Sequence, residues 1–237
     1  MNIFKYLPES FKEKVRHRAG AITENARLQN LRHAGFNPQR IIDAGAYLGT
    51  WSQQVHQIFP EAKILLIEPQ PSLKEDLQAL AEGIPGSYFC ACAVGAAAGE
   101  VLLYQQHSNS RIISPESSLA QQKTNTVEMR TLANLCQTCD FPNPDLIKLD
   151  LQGSEMAALK GAGNLWGNTE VFIVESSWLP IGTSELAYEL IHAMHKKGYR
   201  LYDVYGMNYR QLDNALWQTD FIFVQENSQL ISNISWD

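Results

Sequence analysis

Four things are scarce in this 237-residue chain, and each scarcity excludes a class of explanation. No apolar run approaches the length of a membrane span, so no transmembrane segment is expected. Basic residues are few and scattered: 19 Lys and Arg stand against 25 Asp and Glu, a net charge of −6. Phosphate recognition needs clustered Lys and Arg, so nucleic acid is not the expected partner. Near the start, Lys5, Lys12, Lys14, Arg16 and Arg18 are interrupted by Glu9 and Glu13, and no continuous apolar core follows. That pattern does not predict a signal peptide. Phe4, Leu7, Phe11 and Val15 recur at helical spacing and predict a helix packed on the domain.

Cysteine is the fourth scarcity, with four residues in all. Cys136 and Cys139 make a CxxC, which supplies only two zinc ligands. Cys90 and Cys92 alternate along a predicted strand and are expected on one face. Reduced cysteines and a cytoplasmic location are the expectation, with no metal.

What remains is 45% apolar and 19% charged, an ordinary globular composition. It suits one α/β domain over 1–237, with residues 1–35 as a helical extension and 36–237 as the core. Apolar runs alternate with helical patterns. Strands are predicted at Arg40–Asp43, Lys63–Glu68, Ser87–Ala93, Val101–Gln105, Thr126–Arg130, Leu146–Asp150 and Val171–Glu175. Helices are predicted at Leu48–Phe59, Ser72–Ala81 (capped by Ser72), Ser154–Leu159 and Ser184–Lys197, with a polar loop from His107 to Thr124. The strand-like Arg200–Val204 and Asp220–Val224 have no helical crossover between them, only the polar Tyr205–Thr219, so they should be antiparallel. The prediction is a doubly wound, mostly parallel sheet finished by an antiparallel hairpin.

In such sheets ligands bind beyond the carboxyl ends of the strands. Those ends carry Asp43, Glu68, Cys92-Ala93, Asp150 and Glu175, so four of the five are carboxylates. Asp43 precedes the turn Gly45-Ala46-Tyr47-Leu48-Gly49-Thr50-Trp51. A carboxylate there would repel a pyrophosphate but suits a cationic ligand without phosphate, and S-adenosylmethionine is one. Asp43 is expected either to hold the turn or to reach an ammonium through water. Gly45 and Gly49 open the turn to close approach. Glu68, with Pro69 after it, is placed to accept from both ribose hydroxyls, and Cys92, Ala93 and Val94 to lie beside an adenine edge. NAD would want a G-x-G-x-x-G turn, and Tyr47 is bulky where pyrophosphate needs bare backbone.

Ile-Asp-Ala-Gly-Ala-Tyr-Leu-Gly at 42–49, Ile67-Glu68-Pro69, and Lys148-Leu-Asp150-Leu-Gln152-Gly-Ser-Glu155 followed by Leu159-Lys-Gly-Ala162 together resemble the FkbM family of S-adenosylmethionine-dependent methyltransferases. Ala93-Val94-Gly95 with Gly99-Glu100-Val101 resembles a further segment of that family. Two positions depart from it: Tyr47 stands where asparagine is usual, and Gln152 where glutamate is common. The resemblance implies a class I methyltransferase fold (Rossmann-like, seven-stranded) and O-methylation of a hydroxyl on a sugar, polyketide or similar metabolite.

Methyl transfer to a hydroxyl needs alignment and a proton acceptor. Asp150 is the first candidate, Glu175 the second, and His107, opening the polar loop, the third. Glu155 is expected to play a structural part in the first turn of its helix. Ser108, Ser110 and Arg111, with Ser176, Ser177 and Trp178, are candidate contacts for a small hydroxyl-bearing acceptor. The alternatives are N-methylation, a larger glycan or protein as acceptor, and a non-catalytic relic that keeps only the nucleoside site.

Overall fold

The computed structural model describes residues 23–232 apart from Gly182 and Ser184, so the helix predicted from Phe4, Leu7, Phe11 and Val15 lies outside the described residues. The elements are α1 (Glu24–His33), β1 (Arg40–Ala44), α2 (Thr50–Ile58), β2 (Lys63–Ile67), α3 (Lys74–Gly83), β3 (Tyr88–Cys90), β4 (Ala93–Val94), β5 (Gly99–Tyr104), β6 (Arg111–Ile113), β7 (Thr124–Arg130), α4 (Leu132–Thr138), β8 (Leu146–Leu149), α5 (Glu155–Lys160), β9 (Val171–Ser177), α6 (Ala187–Lys196), β10 (Tyr199–Tyr209) and β11 (Leu216–Gln225).

Seven strands form one sheet in the order β10-β11-β9-β8-β1-β2-β3. β1 pairs in parallel with both β2 and β8, and β11 runs antiparallel to β9 and β10. The strands are apolar on both faces because helices cover both. Ile41, Ile64, Leu146, Val171 and Val224 face α1, α2 and α3 through Leu28, Leu31, Val55 and Leu77. Ile42, Leu65, Ile147, Phe172 and Phe223 face the other side, packing on Leu132, Leu135, Leu159 and Leu190. β8 therefore lies beside β1, and residues 43–50 and 150–153 emerge next to each other at the carboxyl edge.

Several expectations need correcting. The third strand stops at Cys90, where Cys92 N–H turns back to the Cys90 carbonyl (3.1 Å), and Ala93–Val94 joins a separate four-stranded sheet ordered β4-β7-β5-β6. Cys90 and Cys92 thus do not share one strand's face. Inside the predicted polar loop, β6 pairs antiparallel with β5. Ser72 caps nothing: Pro71–Leu73 forms a 3-10 turn, so Ser72 lies within a turn and the α-helix starts at Lys74. β10 runs on to Tyr209, well past the predicted Val204, because register shifts and Gly206 (φ +62°) let the strand bend and continue. The seven-residue α4, capped by Thr131 accepting from Asn134 N–H (3.1 Å), is too short to leave a clear period.

Candidate active site

The site begins with backbone. Gly45 has φ +85°, and its N–H and that of Ala46 both donate to the Ile67 carbonyl (2.9 and 3.1 Å), drawing the turn across the end of β2. A Cβ on Gly45 would lie 1.9 Å from the Asp150 carbonyl oxygen, so this position closes the β1–β8 junction as glycine only. Tyr47 also adopts positive φ (+46°), and its N–H donates to Glu68 Oε2 at 2.9 Å. Gln70 N–H donates to Glu68 Oε1 at 3.0 Å. Glu68 is 4% exposed, and burial raises its carboxyl above the usual range although both N–H groups pull it down.

Asp43 faces elsewhere. It is fully buried behind the turn, its Oδ2 accepts from Ser52 Oγ (2.6 Å) on α2, and burial pushes its carboxyl up to about 6. Of its two expected roles, the geometry fits holding the turn. Cys92 is likewise buried in the core and does not reach the cavity wall, whereas Ala93 and Val94 do.

Lys148 supplies a buried positive charge beside the cavity. It projects from the middle of β8 at 5% exposure, donates to Asp150 Oδ2 at 2.9 Å, and stands 5.7 Å over the Trp51 ring. Burial opposes its charge, but Asp150, Asp43 and Asp220 overcome that and raise its pKa. Burial also works to raise Asp150, and here the Lys148 ammonium prevails, holding Asp150 below the usual carboxylate range. Gln152, at φ +54°, donates from Nε2 to both Asp150 Oδ1 (2.9 Å) and Glu175 Oε2 (3.2 Å), and Gln218 Nε2 adds a second bond to that Glu175 oxygen (3.2 Å). Burial, with Asp150 and Asp220 nearby, pushes Glu175 up to about 9. Two acids on neighbouring strands are therefore tuned in opposite directions. Glu155, pushed to about 7 by burial, accepts the N–H groups of Leu151 (2.7 Å) and Gly153 (3.0 Å) and fixes their loop, a structural role.

These groups enclose a cavity of about 410 Å³. Gly45, Tyr47, Glu68, Pro69, Ala93 and Val94 line one end, Asp150, Gln152 and Glu175 the middle, and Asn208, Trp217 and Gln218 the other, with Ser108–Ile112 completing the wall where Ser110 Oγ donates to Gln70 Oε1 (3.0 Å). A second hollow of about 250 Å³ shares Gly45, Tyr47 and Asp150 with it and adds Ala46, Thr50, Trp51, Gln54, Lys148, Glu24 and Asp220. Gly49 does not reach either wall; its φ of +71° starts α2.

Other candidates are placed differently. His107 is exposed on a 3-10 turn and absent from the wall, although the next five residues line it. Trp178 packs against Phe221 (5.7 Å) and donates to Thr219 Oγ1 (3.0 Å), and the aromatic wall is Trp217 instead. Lys148, which the sequence reading placed in the FkbM-like block without a role, and Gln218 and Trp217, which it did not single out, also line the two hollows. A lysine inside the otherwise apolar run 146–149 was the available signal for the first. Among the described residues, no group of three His, Cys, Asp or Glu is arranged to hold a metal ion, and no helix is long and apolar enough to cross a membrane.

The sheet order and an acid-rimmed cavity at the carboxyl ends of β1, β2 and β8 define a class I methyltransferase fold. The family described as the Methyltransferase FkbM domain matches residues 43–201, more than half of the chain. The chain belongs to that family, and its methyl donor is S-adenosylmethionine. Methyltransferase sdnD of Sordaria araneosa is 25% identical over 175 residues, 60% of this chain and 67% of that protein. Among solved structures, a precorrin-6y C5,15-methyltransferase from Geobacter metallireducens overlaps 86% of this chain and 89% of its own at 10% identity, with a TM-score of 0.47. The magnesium protoporphyrin IX methyltransferase of Synechocystis, solved with bound SAH, overlaps 94% and 97% at 11% identity, with a TM-score of 0.45.

Proposed function

We propose that this chain methylates a hydroxyl of a small acceptor, a sugar among the candidates, with Asp150 as the ionised anchor and Glu175 as the proton acceptor. One observation carries the reading: the Asp150–Gln152–Glu175 bridge spans the middle of a cavity with Glu68 at one end and Trp217 at the other.

The chain's residues fit S-adenosylmethionine. Each oxygen of Glu68 takes one backbone N–H and keeps a lone pair, which suits two ribose hydroxyls. Ala93 and Val94 offer small apolar surface to a base, and ionised Asp150 beside Gly45 suits an ammonium. Bound there, the donor supplies a methyl group on a sulfonium, open to in-line displacement.

The protein's part is orientation and proton removal. Asp150 is neutralised by Lys148 and is a weak base, so it holds rather than abstracts. Glu175 is the stronger base once ionised, and cationic charge brought into the cavity favours its ionised form. Gln152 and Gln218 occupy one of its oxygens and leave Oε1 for an acceptor hydroxyl. Ser108, Ser110 and Arg111 on one side and Asn208 and Trp217 on the other supply polar contacts and an aromatic face for a hydroxylated ring.

Calorimetric titration with S-adenosylhomocysteine tests the donor site: binding is expected, weakened about 10- to 100-fold in Glu68→Gln, in line with loss of charge-assisted hydrogen bonds. Absence of binding to the native chain would sink the assignment. With a panel of hydroxylated acceptors and S-adenosylmethionine, Glu175→Gln should lower turnover about 100-fold or more while retaining donor affinity. Unchanged turnover in that variant would move proton removal away from Glu175.

A further inference from the structure

The fold joins two cysteines that methyl transfer does not use. Cys90 ends β3, the edge strand of the large sheet, and Cys139 stands at the C-terminal end of α4. Their Sγ atoms lie 3.0 Å apart, only about 1 Å beyond the ~2.05 Å of a disulfide bond. Both are free and half-buried, whereas Cys92 and Cys136 beside them are buried in the core. Neither Cys90 nor Cys139 lines the cavity. The backbone around Cys90 is already fixed: its carbonyl accepts from Glu68 N–H (3.2 Å) and Cys92 N–H (3.1 Å). Closing the gap asks the two sulfurs to approach by about 1 Å.

We propose that Cys90 and Cys139 form a disulfide when the protein meets a peroxide, and that the bond staples β3 to α4 while leaving the donor site as it is. The Cys139 sulfur attacks peroxide first. An S–O bond forms as the O–O bond breaks, and the departing hydroxide takes up the Cys139 proton to leave as water. Cys90 then attacks the sulfenic sulfur: the S–S bond forms, the S–O bond breaks, and a second water leaves with the Cys90 proton. Each sulfur loses one electron overall, and both peroxide oxygens are reduced. The order follows from access: Cys139 stands at the end of α4 between the exposed Thr138 and Asp140, whereas Cys90 ends a strand of the sheet and burial pushes its thiol up.

The test exposes the full-length protein to hydrogen peroxide and then alkylates it without reductant. Expected are an intact mass lower by two hydrogens, two cysteines protected from alkylation, and a Cys90–Cys139 peptide pair that reductant separates. The melting temperature should rise by about 10 °C, as a loop of this length implies. Affinity for S-adenosylhomocysteine should stay within about threefold. Cys90→Ser and Cys139→Ser should each abolish the protected pair. Four alkylated cysteines, a Cys136–Cys139 link, or a sulfinic acid at Cys139 in place of the bond would overturn the proposal. A larger loss of donor affinity would overturn its second clause, and that outcome is separable from failure of the donor assignment because the reduced protein is titrated in parallel.

Discussion

The proposed donor and acceptor ends of the cavity are built by different means. At the donor end, Gly45, Tyr47 and Glu68 are held by backbone hydrogen bonds between neighbouring parallel strands, and each atom of the Glu68 carboxylate has a partner within the protein. At the acceptor end, Asn208, Trp217 and Gln218 arrive on a hairpin from the end of the chain and Ser108–Ile112 from a loop and a three-residue strand. There the Trp217 indole N–H has no partner among the described residues. The first is therefore set by backbone turns and strand ends, and the second by where a hairpin and a short loop come to rest.

Substitutions can break or sharpen that contrast. The largest effect is expected from Gly45→Ala, which meets both a positive φ and the Asp150 carbonyl. Affinity for S-adenosylhomocysteine should fall by more than about 100-fold, or the chain should fail to fold, as calorimetry and thermal melts would report. Normal binding would show the turn to be softer than its geometry. Lys148→Met comes next, since it strands Asp150, Asp43 and Asp220 without their cation. A loss of about 3–5 kcal/mol in urea unfolding at pH 8 is expected. That loss should shrink as pH falls toward about 7 and 6, because Asp220 and Asp43, whose pKa values Lys148 lowers in the native protein, take up protons at higher pH once the cation is gone.

Glu175→Gln sharpens the boundary between the two ends. An acid whose folded pKa is raised makes the native state bind more protons, so stability falls as pH rises from the unfolded value toward the folded one. For Glu175 that window runs from the ordinary glutamate value of 4.5 to about 9. Asp43, at about 6, has mostly titrated by pH 7, and Asp220 and Glu155, at about 7, by pH 8. Between pH 8 and 9 the native protein should keep losing stability, and the variant should be flatter in thermal melts across that range. Equal slopes would place the high-pKa group elsewhere. The smallest effects on donor binding are expected from Trp217→Ala and His107→Ala, each within about twofold. Trp217→Ala should nevertheless lower acceptor turnover, and His107→Ala should change neither.

What could be read from the sequence follows the same division. The β1 turn, the Glu68 strand end and the β8 strand were legible because each is a local pattern of apolar run, glycine and acid, and the parallel order follows from the crossovers between them. The direction of Asp43 was not, since a carboxylate at a strand end can face the ligand or the covering helix, and Ser52 on α2 decides it. The four-stranded sheet was missed because β4 and β6 are two and three residues long, too short for alternation to register. The reach of β10 was hidden by its bulges, which break the alternation that marks a strand. The opposed tuning of Asp150 and Glu175 depends on Lys148 and Asp220, which are remote from Glu175 in sequence and meet it only after the strands pair.

The tip of the last hairpin carries a consequence for how such a chain can diversify. Residues 210–215 close on themselves: Arg210 grips Asp213, whose carboxylate also accepts the Ala215 N–H, and Arg210 N–H meets the Ala215 carbonyl. A segment whose ends are already registered and whose turn satisfies its own polar groups is a natural unit of recombination. Exchanging the stretch from Asn208 to Gln218 would replace that part of the wall in one piece and leave Ser108–Ile112 in place. Inheritance of the methyl donor and of part of the acceptor preference would then be decoupled, the first carried by Gly45, Glu68, Ala93 and Val94 and the second by residues 208–218.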